Sequence, residues 1–208
     1  MGRYLEANCR LCRREGMKLF LKGTRCFTEK CAVSRREYAP GQHGKTRQKL
    51  SNYGVQLREK QKLKRMYGIL ERQFRKYFEV ASHKKGVTGR TLLQILERRL
   101  DNLIFRAGFA VSRNQARQIV RHNFVYVNNH RVNIPSFLVK ENDAISIKAK
   151  ETAAKKIREN IEVTKSSPQA SWLEVNQADL NAKVLRLPEK EDIQVPIQEQ
   201  LVVELYSK

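Results

Sequence analysis

The sequence predicts an α+β protein: a four-cysteine N-terminal knot and an α-helical domain, then a small module of two to three helices packed on a small, mostly antiparallel sheet. Three observations predict it. All four cysteines lie within the first 31 residues. Apolar residues between 63 and 107 recur at helical spacing. From residue 124 the pattern changes to short β-branched and aromatic runs separated by Asn, Pro and Asp.

The chain has 208 residues, enough for one or two domains. It carries 42 basic and 21 acidic side chains, a net charge of +21. The excess is uneven. Residues 1–60 hold 15 basic and 5 acidic side chains, whereas residues 151–208 hold 8 and 10. A surface this lopsided attracts polyanions, and solubility alone needs only a few net charges. No apolar run approaches the length of a membrane span, and the opening MGRYLEANCRLC has no apolar stretch of the signal-peptide kind. A reducing, cytosol-like compartment is therefore expected, with no membrane and no small-molecule substrate.

Cys9, Cys12, Cys26 and Cys31 are spaced C-x2-C and C-x4-C, thirteen residues apart. Two short-spaced pairs can close a tetrahedron of thiolates around one zinc ion. Four thiolates leave no position for water, so such a site is structural and not catalytic. The surrounding segment has few large apolar residues, and a metal would replace the missing core. Two disulfides would require an oxidising compartment. An iron–sulfur cluster would suit the thiols, but no redox partner is suggested. One structural zinc ion is the expectation adopted.

Arginines and lysines interleave with these cysteines, among them Arg10, Arg13, Arg14, Lys18, Lys22, Arg25, Lys30, Arg35 and Arg36. A rigid knot displaying guanidinium forks suits phosphate oxygens. Residues 38–45 follow as a breaker stretch, with Pro40-Gly41 and Gly44 marking turns. It reads equally as a linker or as a loop that approaches a nucleic-acid backbone.

A helix is predicted over 63–78 from Leu63, Met66, Tyr67, Leu70, Phe74, Tyr77 and Phe78, a stripe read as core, with Gly86 ending the stretch. A second is predicted over 91–107, with Leu93, Leu96, Leu100, Leu103 and Ile104 inward and Gly108 as its stop. Ser112 opens a third, and Ser112-x-x-Gln115 is a capping box. Arg113, Arg117 and Arg121 recur every four residues over an arc of roughly 80°, beside the apolar arc of Ala116, Ile119 and Val120. The expectation is an arginine stripe turned to phosphate, next to the helix N-terminus. Residues 124–127 and 131–134 read as a hairpin with its tip at Asn128, Asn129 and His130, and 144–148 reads as a further strand.

The run from Arg99 to Lys148, RLDNLIFRAGFAVSRNQARQIVRHNFVYVNNHRVNIPSFLVKENDAISIK, resembles the small RNA-binding module shared by ribosomal protein four of the bacterial small subunit, pseudouridine synthases and tyrosyl-tRNA synthetases. The opening MGRY, the cysteine spacing, the loop PGQHG and the ending LVVELYSK together resemble the universal ribosomal protein four family in its zinc-containing form. The resemblance covers essentially the whole chain. It implies a structural constituent of the small ribosomal subunit: a primary binder of small-subunit (16S-type) ribosomal RNA that nucleates assembly of the subunit body. It also implies a neighbour, ribosomal protein five, and a place near the channel by which messenger RNA enters, with an influence on decoding accuracy. The expected setting is the cytoplasmic ribosome, as a monomer within it.

The resemblance further implies RNA contacts at Ser112, Arg113, Gln115, Arg117, Arg121, His122 and Asn128, and zinc ligation by all four cysteines. Arg3, Arg10, Arg13, Arg14, Arg35, Arg36, Gln42, His43, Lys45, Arg99 and Arg106 are further candidate RNA contacts. The organisation expected is a zinc-binding segment and basic loop over 1–45, a helical domain over 46–97 onto which 190–208 folds back, and the RNA-binding module with its extension over 98–189.

Two other classes were weighed. An RNA-modifying enzyme of the pseudouridine-synthase kind shares the module. After it, however, only about 60 residues remain, and no catalytic constellation is recognisable among the acids and histidines of the first 90. A zinc-dependent DNA-binding regulator would present a dimer seam, and there is no heptad pattern. No enzymatic activity is expected.

Overall fold

The structure is a computed structural model that describes residues 2, 4–46, 49–165, 170–193 and 195–207. The chain divides into two compact units. One comprises Met1–Leu92 with Val195–Lys208, and the other Leu93–Gln194.

The first unit begins with helix α1 (Asn8–Glu15), a single 3-10 turn (Gly23–Cys26) and the one-turn helix α2 (Ala32–Arg35). Helices α3 (Asn52–Met66) and α4 (Glu71–Ser82) follow. The expected helix over 63–78 is thus two helices. Gly68 adopts φ 63°, which side-chain-bearing residues rarely adopt, and the chain turns there before α4 starts. The apolar spacing runs across the break, and Leu63, Met66, Phe74, Tyr77 and Phe78 are all buried. Helix α9 (Glu199–Tyr206) packs on α3, where the Gln56 amide donates to Glu204 at 2.8 Å and the Tyr206 ring stacks on Phe78 at 4.6 Å.

Helix α5 (Thr88–Glu97) leads into the second unit, followed by α6 (Leu100–Arg106) and α7 (Arg113–Arg121). The helix expected over 91–107 is interrupted at Arg99, which is extended (ψ 137°) and bridges to Leu138. Backbone pairing with the 135–139 segment, including Leu100 N–H to Phe137 O at 2.9 Å, wins over helical continuity there.

A five-stranded antiparallel sheet follows, in spatial order β2-β1-β3-β5-β4. Its strands are β1 (Val125–Val127), β2 (His130–Arg131), β3 (Ala144–Ile147), β4 (Leu173–Asn176) and β5 (Asn181–Val184). The β1–β2 turn holds two residues, not the three expected. Asn128 and Asn129 both have positive φ, 48° and 65°, as a tight hairpin turn of matching twist demands. Helix α8 (Glu151–Thr164) and the inward rows of the strands, with Trp172 at 1 % exposure, close one continuous core with α6 and α7.

Candidate nucleic-acid interface and thiol cluster

Helix α7 starts where its cap dictates. Ser112 Oγ accepts from Gln115 N–H at 3.3 Å. Gln115 Oε1 reaches back to Val111 N–H at 2.9 Å, one residue before the expected partner. The rest of the Gln115 amide turns inward, donating to Asn160 Oδ1 at 3.1 Å, and Asn160 donates to Phe109 O. Gln115 and the buried Ser112 therefore have a role in the fold at the start of α7.

The arginines divide sharply. Arg99 is 1 % exposed and forks onto Asp101, with Nε at 3.0 Å and Nη2 at 2.6 Å. Arg117 is 8 % exposed, with Nη1 3.8 Å from the same carboxylate. Arg106 forks onto the buried Glu97 at 3.0 and 2.7 Å. Arg113 donates to Asn102 Oδ1 at 2.8 Å and lies 4.6 Å from the Phe105 ring centre. Asn102 in turn donates to Glu97. Two buried acids thus hold three guanidinium groups, and no buried side-chain polar atom among the described residues lacks a partner. Arg99 and Arg117 are turned toward Asp101, and Arg106 and Arg113 are held from inside.

Helix phase separates the three arginines of α7. With Ala116, Ile119 and Val120 buried, the direction opposite their mean falls on residues 114, 118 and 121. Positions 113 and 117 lie roughly 80–110° away, toward the packed side. The outward edge is therefore Asn114, Gln118 and Arg121, all exposed. His122, exposed and edge-on to Phe124 at 5.9 Å, continues it. Asn114 and Gln118 are uncharged, so the charge pattern of the sequence gives no sign of them; the phase of the apolar residues does. Asn128 is exposed, but its side chain is engaged on both sides: Nδ2 donates to Asp143 at 2.8 Å, and Oδ1 accepts from Ala144 N–H at 2.9 Å.

In the first unit the buried Glu15 holds Arg58 and Arg65 in the same way, while other basic residues serve a loop or face solvent. Arg13 donates to Tyr38 O and Ala39 O, at 3.0 and 3.3 Å, and Arg14 to Pro40 O at 3.1 Å. These bonds pin the 38–46 loop. Gly44 is obligatory there, because a Cβ would lie 1.9 Å from Ala39 O. The pinned loop leaves Gln42, His43 and Lys45 exposed. Arg35 and Arg36 are exposed with no ion pair among the described residues, and Arg10 makes only an exposed pair with Glu6 at 3.7 Å. Arg3 lies outside the described residues.

Cys9, Cys12, Cys26 and Cys31 line one small cavity of about 10 Å³, and none is in a disulfide. Backbone N–H groups point at the sulfurs: Lys22 N–H lies 3.4 Å from Cys26 Sγ, Leu19 supplies one to Cys12, and Val33 and Ser34 supply two to Cys31. Burial pushes the Cys12 and Cys26 thiols up. Burial also opposes ionisation at Cys31, but its amide donors outweigh this and hold the thiol below its usual range. Among the described residues, no group of three or more His, Cys, Asp or Glu side chains is gathered as a ready coordination shell. The donor set and the amide-to-sulfur bonds nonetheless suit a metal thiolate.

No helix is long and apolar enough to cross a membrane among the described residues. Comparison with known families matches residues 3–97 to the ribosomal protein S4/S9 N-terminal domain and residues 98–145 to the S4 domain. The chain is similar to the small ribosomal subunit protein uS4 of Acetivibrio thermocellus, 59 % identical over 208 residues and the whole of both chains. It is also similar to those of Thermodesulfovibrio yellowstonii, 57 % identical over 208 residues, and Syntrophus aciditrophicus, 61 % over 211, again with both chains fully covered.

Proposed function

The chain belongs to the small ribosomal subunit protein uS4 family, and from that premise we propose how its residues serve the subunit. The family is structural and not enzymatic. The protein is a constituent of the small ribosomal subunit that binds its RNA. An RNA-modifying activity is not favoured.

Contact with small-subunit ribosomal RNA runs through the basic residues that no internal acid claims. In the first unit these are Arg35, Arg36 and Lys45, with Gln42 and His43. In the second they are Arg121 and His122, with Asn114 and Gln118 beside them. The single observation that carries this reading is their exposure without acidic partners, in a chain of net charge +21. Binding early and directly, the protein nucleates assembly of the subunit body. Ribosomal protein five is its neighbour, and messenger RNA passes close by on entering, so that decoding accuracy depends on it.

Cys9, Cys12, Cys26 and Cys31 would hold one structural zinc ion, which supplies the cross-link that replaces an apolar core. The chain's own part is to aim backbone N–H groups at the sulfurs of Cys12, Cys26 and Cys31, which favours their thiolates against the burial that opposes them. Metal quantification on the purified chain is expected to return zinc at one per molecule; a folded chain without it would remove this assignment.

Titration of small-subunit RNA against salt tests the RNA reading. If six to ten phosphates are contacted, affinity should fall roughly a thousand- to hundred-thousand-fold between about 50 and 200 mM salt. A shallow dependence, or a preference for duplex DNA, would overturn it.

A further inference from the structure

Phe20 and Phe27 stand out in the first unit. Phe27 is 73 % exposed and Phe20 44 %, yet their rings stack on each other, centroids 5.0 Å apart and planes 29° apart. Single exposed aromatics are unremarkable, but a stacked, outward-facing pair is a formed surface. Its backbone is strained: Phe20 has φ 51°, a region that bulky side chains avoid at a cost of about 1–3 kcal/mol. The neighbouring Leu19 is buried at 2 % exposure, so the chain drives one side chain inward and turns the next outward.

The same stretch of sequence is cationic. Lys22, Arg25 and Lys30 are exposed, and none forms an ion pair among the described residues. Glu29 is the one acid in that stretch, and it is exposed and unpaired as well. Protein-binding surfaces disfavour lysine around an aromatic centre. Single-stranded nucleic acid favours this combination, since an unpaired base offers a flat π-face and its phosphates seek lysine and arginine.

We propose that the Phe20–Phe27 pair is a stacking platform for one unpaired base of the RNA, with Lys22, Arg25 and Lys30 on the flanking phosphates. The proposal rests on the RNA-binding reading above and adds a base contact to it. Phe27, the more exposed ring, receives the base on its free face. Phe20 backs it and fixes its plane.

The test uses the full chain, with whatever metal it carries, titrated against refolded small-subunit RNA under per-nucleotide chemical probing. Phe27→Leu keeps an apolar side chain and removes the π-face. It is expected to weaken binding about five- to 150-fold, the worth of one stacked base, without changing the salt slope. Phe27→Trp should bind like the parent. One unpaired nucleotide should be protected by the parent and by Phe27→Trp but not by Phe27→Leu. Lys30→Ala, which removes neither ring, should lower the salt slope by about one. Parental affinity and protection in Phe27→Leu would overturn the proposal. So would an effect of Phe27→Leu seen only when other ribosomal proteins are present, which would make the platform a protein contact. If the parent itself ignored the RNA, the underlying reading would fall and this site with it, a result distinct from loss in Phe27→Leu alone.

Discussion

Arginine does opposite things within the molecule, depending on whether a buried acid stands beside it: in the first unit Glu15, its side chain 1 % exposed, holds Arg58 and Arg65. In the module, Arg99, Arg106, Arg113 and Arg117 are drawn inward by Asp101, Glu97 and Asn102, and Arg99 is sealed at 1 % exposure. In the N-terminal unit, Arg35, Arg36, Arg25 and Lys30 face solvent with no ion pair among the described residues. The difference lies in where acids are buried, not in how many basic residues a segment carries. A guanidinium beside a buried carboxylate is a structural strut; one without is available to phosphate.

The largest expected effect breaks that distinction at its source. Asp101→Ala removes the buried carboxylate onto which Arg99 forks and toward which Arg117 points. Removing one partner of a buried pair typically costs about 3–5 kcal/mol, because the remaining charge is uncompensated. Urea unfolding of the full chain should show a loss of that size in the transition of the module. Glu6→Ala, which removes only the exposed Arg10–Glu6 pair, should change stability by less than about 0.5 kcal/mol. Equal effects would abolish the contrast between strut and free cation.

An intermediate effect comes from Glu71, which shows that acids also anchor basic residues in the first unit. Lys60 Nζ and Lys64 Nζ donate to its two oxygens at 2.8 Å each, and Tyr206 Oη donates at 2.7 Å. Burial pushes its carboxyl up, but these three donors outweigh that and bring it to about 2. A carboxyl depressed on folding contributes its stability in full above its unfolded value near 4.5, and loses it as pH falls toward about 2. The side chain is 46 % exposed, so screening limits the contribution to about 1 kcal/mol. Glu71→Gln should lower stability by about that amount at pH 7 and flatten the loss between pH 4.5 and 2. An unchanged acid limb in the variant would mean that other carboxylates govern it.

Much of this was legible in the sequence, for identifiable reasons. Ser112 and Gln115 marked the start of α7 because capping is local chemistry, and the Asn pair marked the hairpin tip. The break at Gly68 was hidden by an apolar rhythm that stays in phase across it. The break at Arg99 carries no Gly or Pro, and pairing with residues 137–139 imposes it, which no local window contains. In α7, repeat distance says which residues share a face but not which face. Only the buried set fixes that. Asn160, 45 residues from Gln115, could not have been foreseen as its partner. The Phe20–Phe27 pair lay in plain view, but single aromatics among cysteines and lysines give no sign that they stack outward.

The smallest expected effect on stability is also the sharpest test of the contrast, since it sets two arginines of one helix against each other. Arg121 is exposed on the outward edge of α7, whereas Arg117, four residues earlier, is 8 % exposed beside Asp101. Arg121→Ala should leave unfolding within about 0.5 kcal/mol of the parent, weaken RNA at every sequence alike and lower the salt slope by about one, as loss of one phosphate contact does. Arg117→Ala should do the reverse, destabilising the module while keeping the slope of whatever fraction stays folded. If Arg117→Ala took the slope and Arg121→Ala did not, the phase of α7 drawn from its buried residues would be wrong. The stripe of 113, 117 and 121 would then return as the RNA-facing edge, and Asp101 would have to release Arg117 on binding.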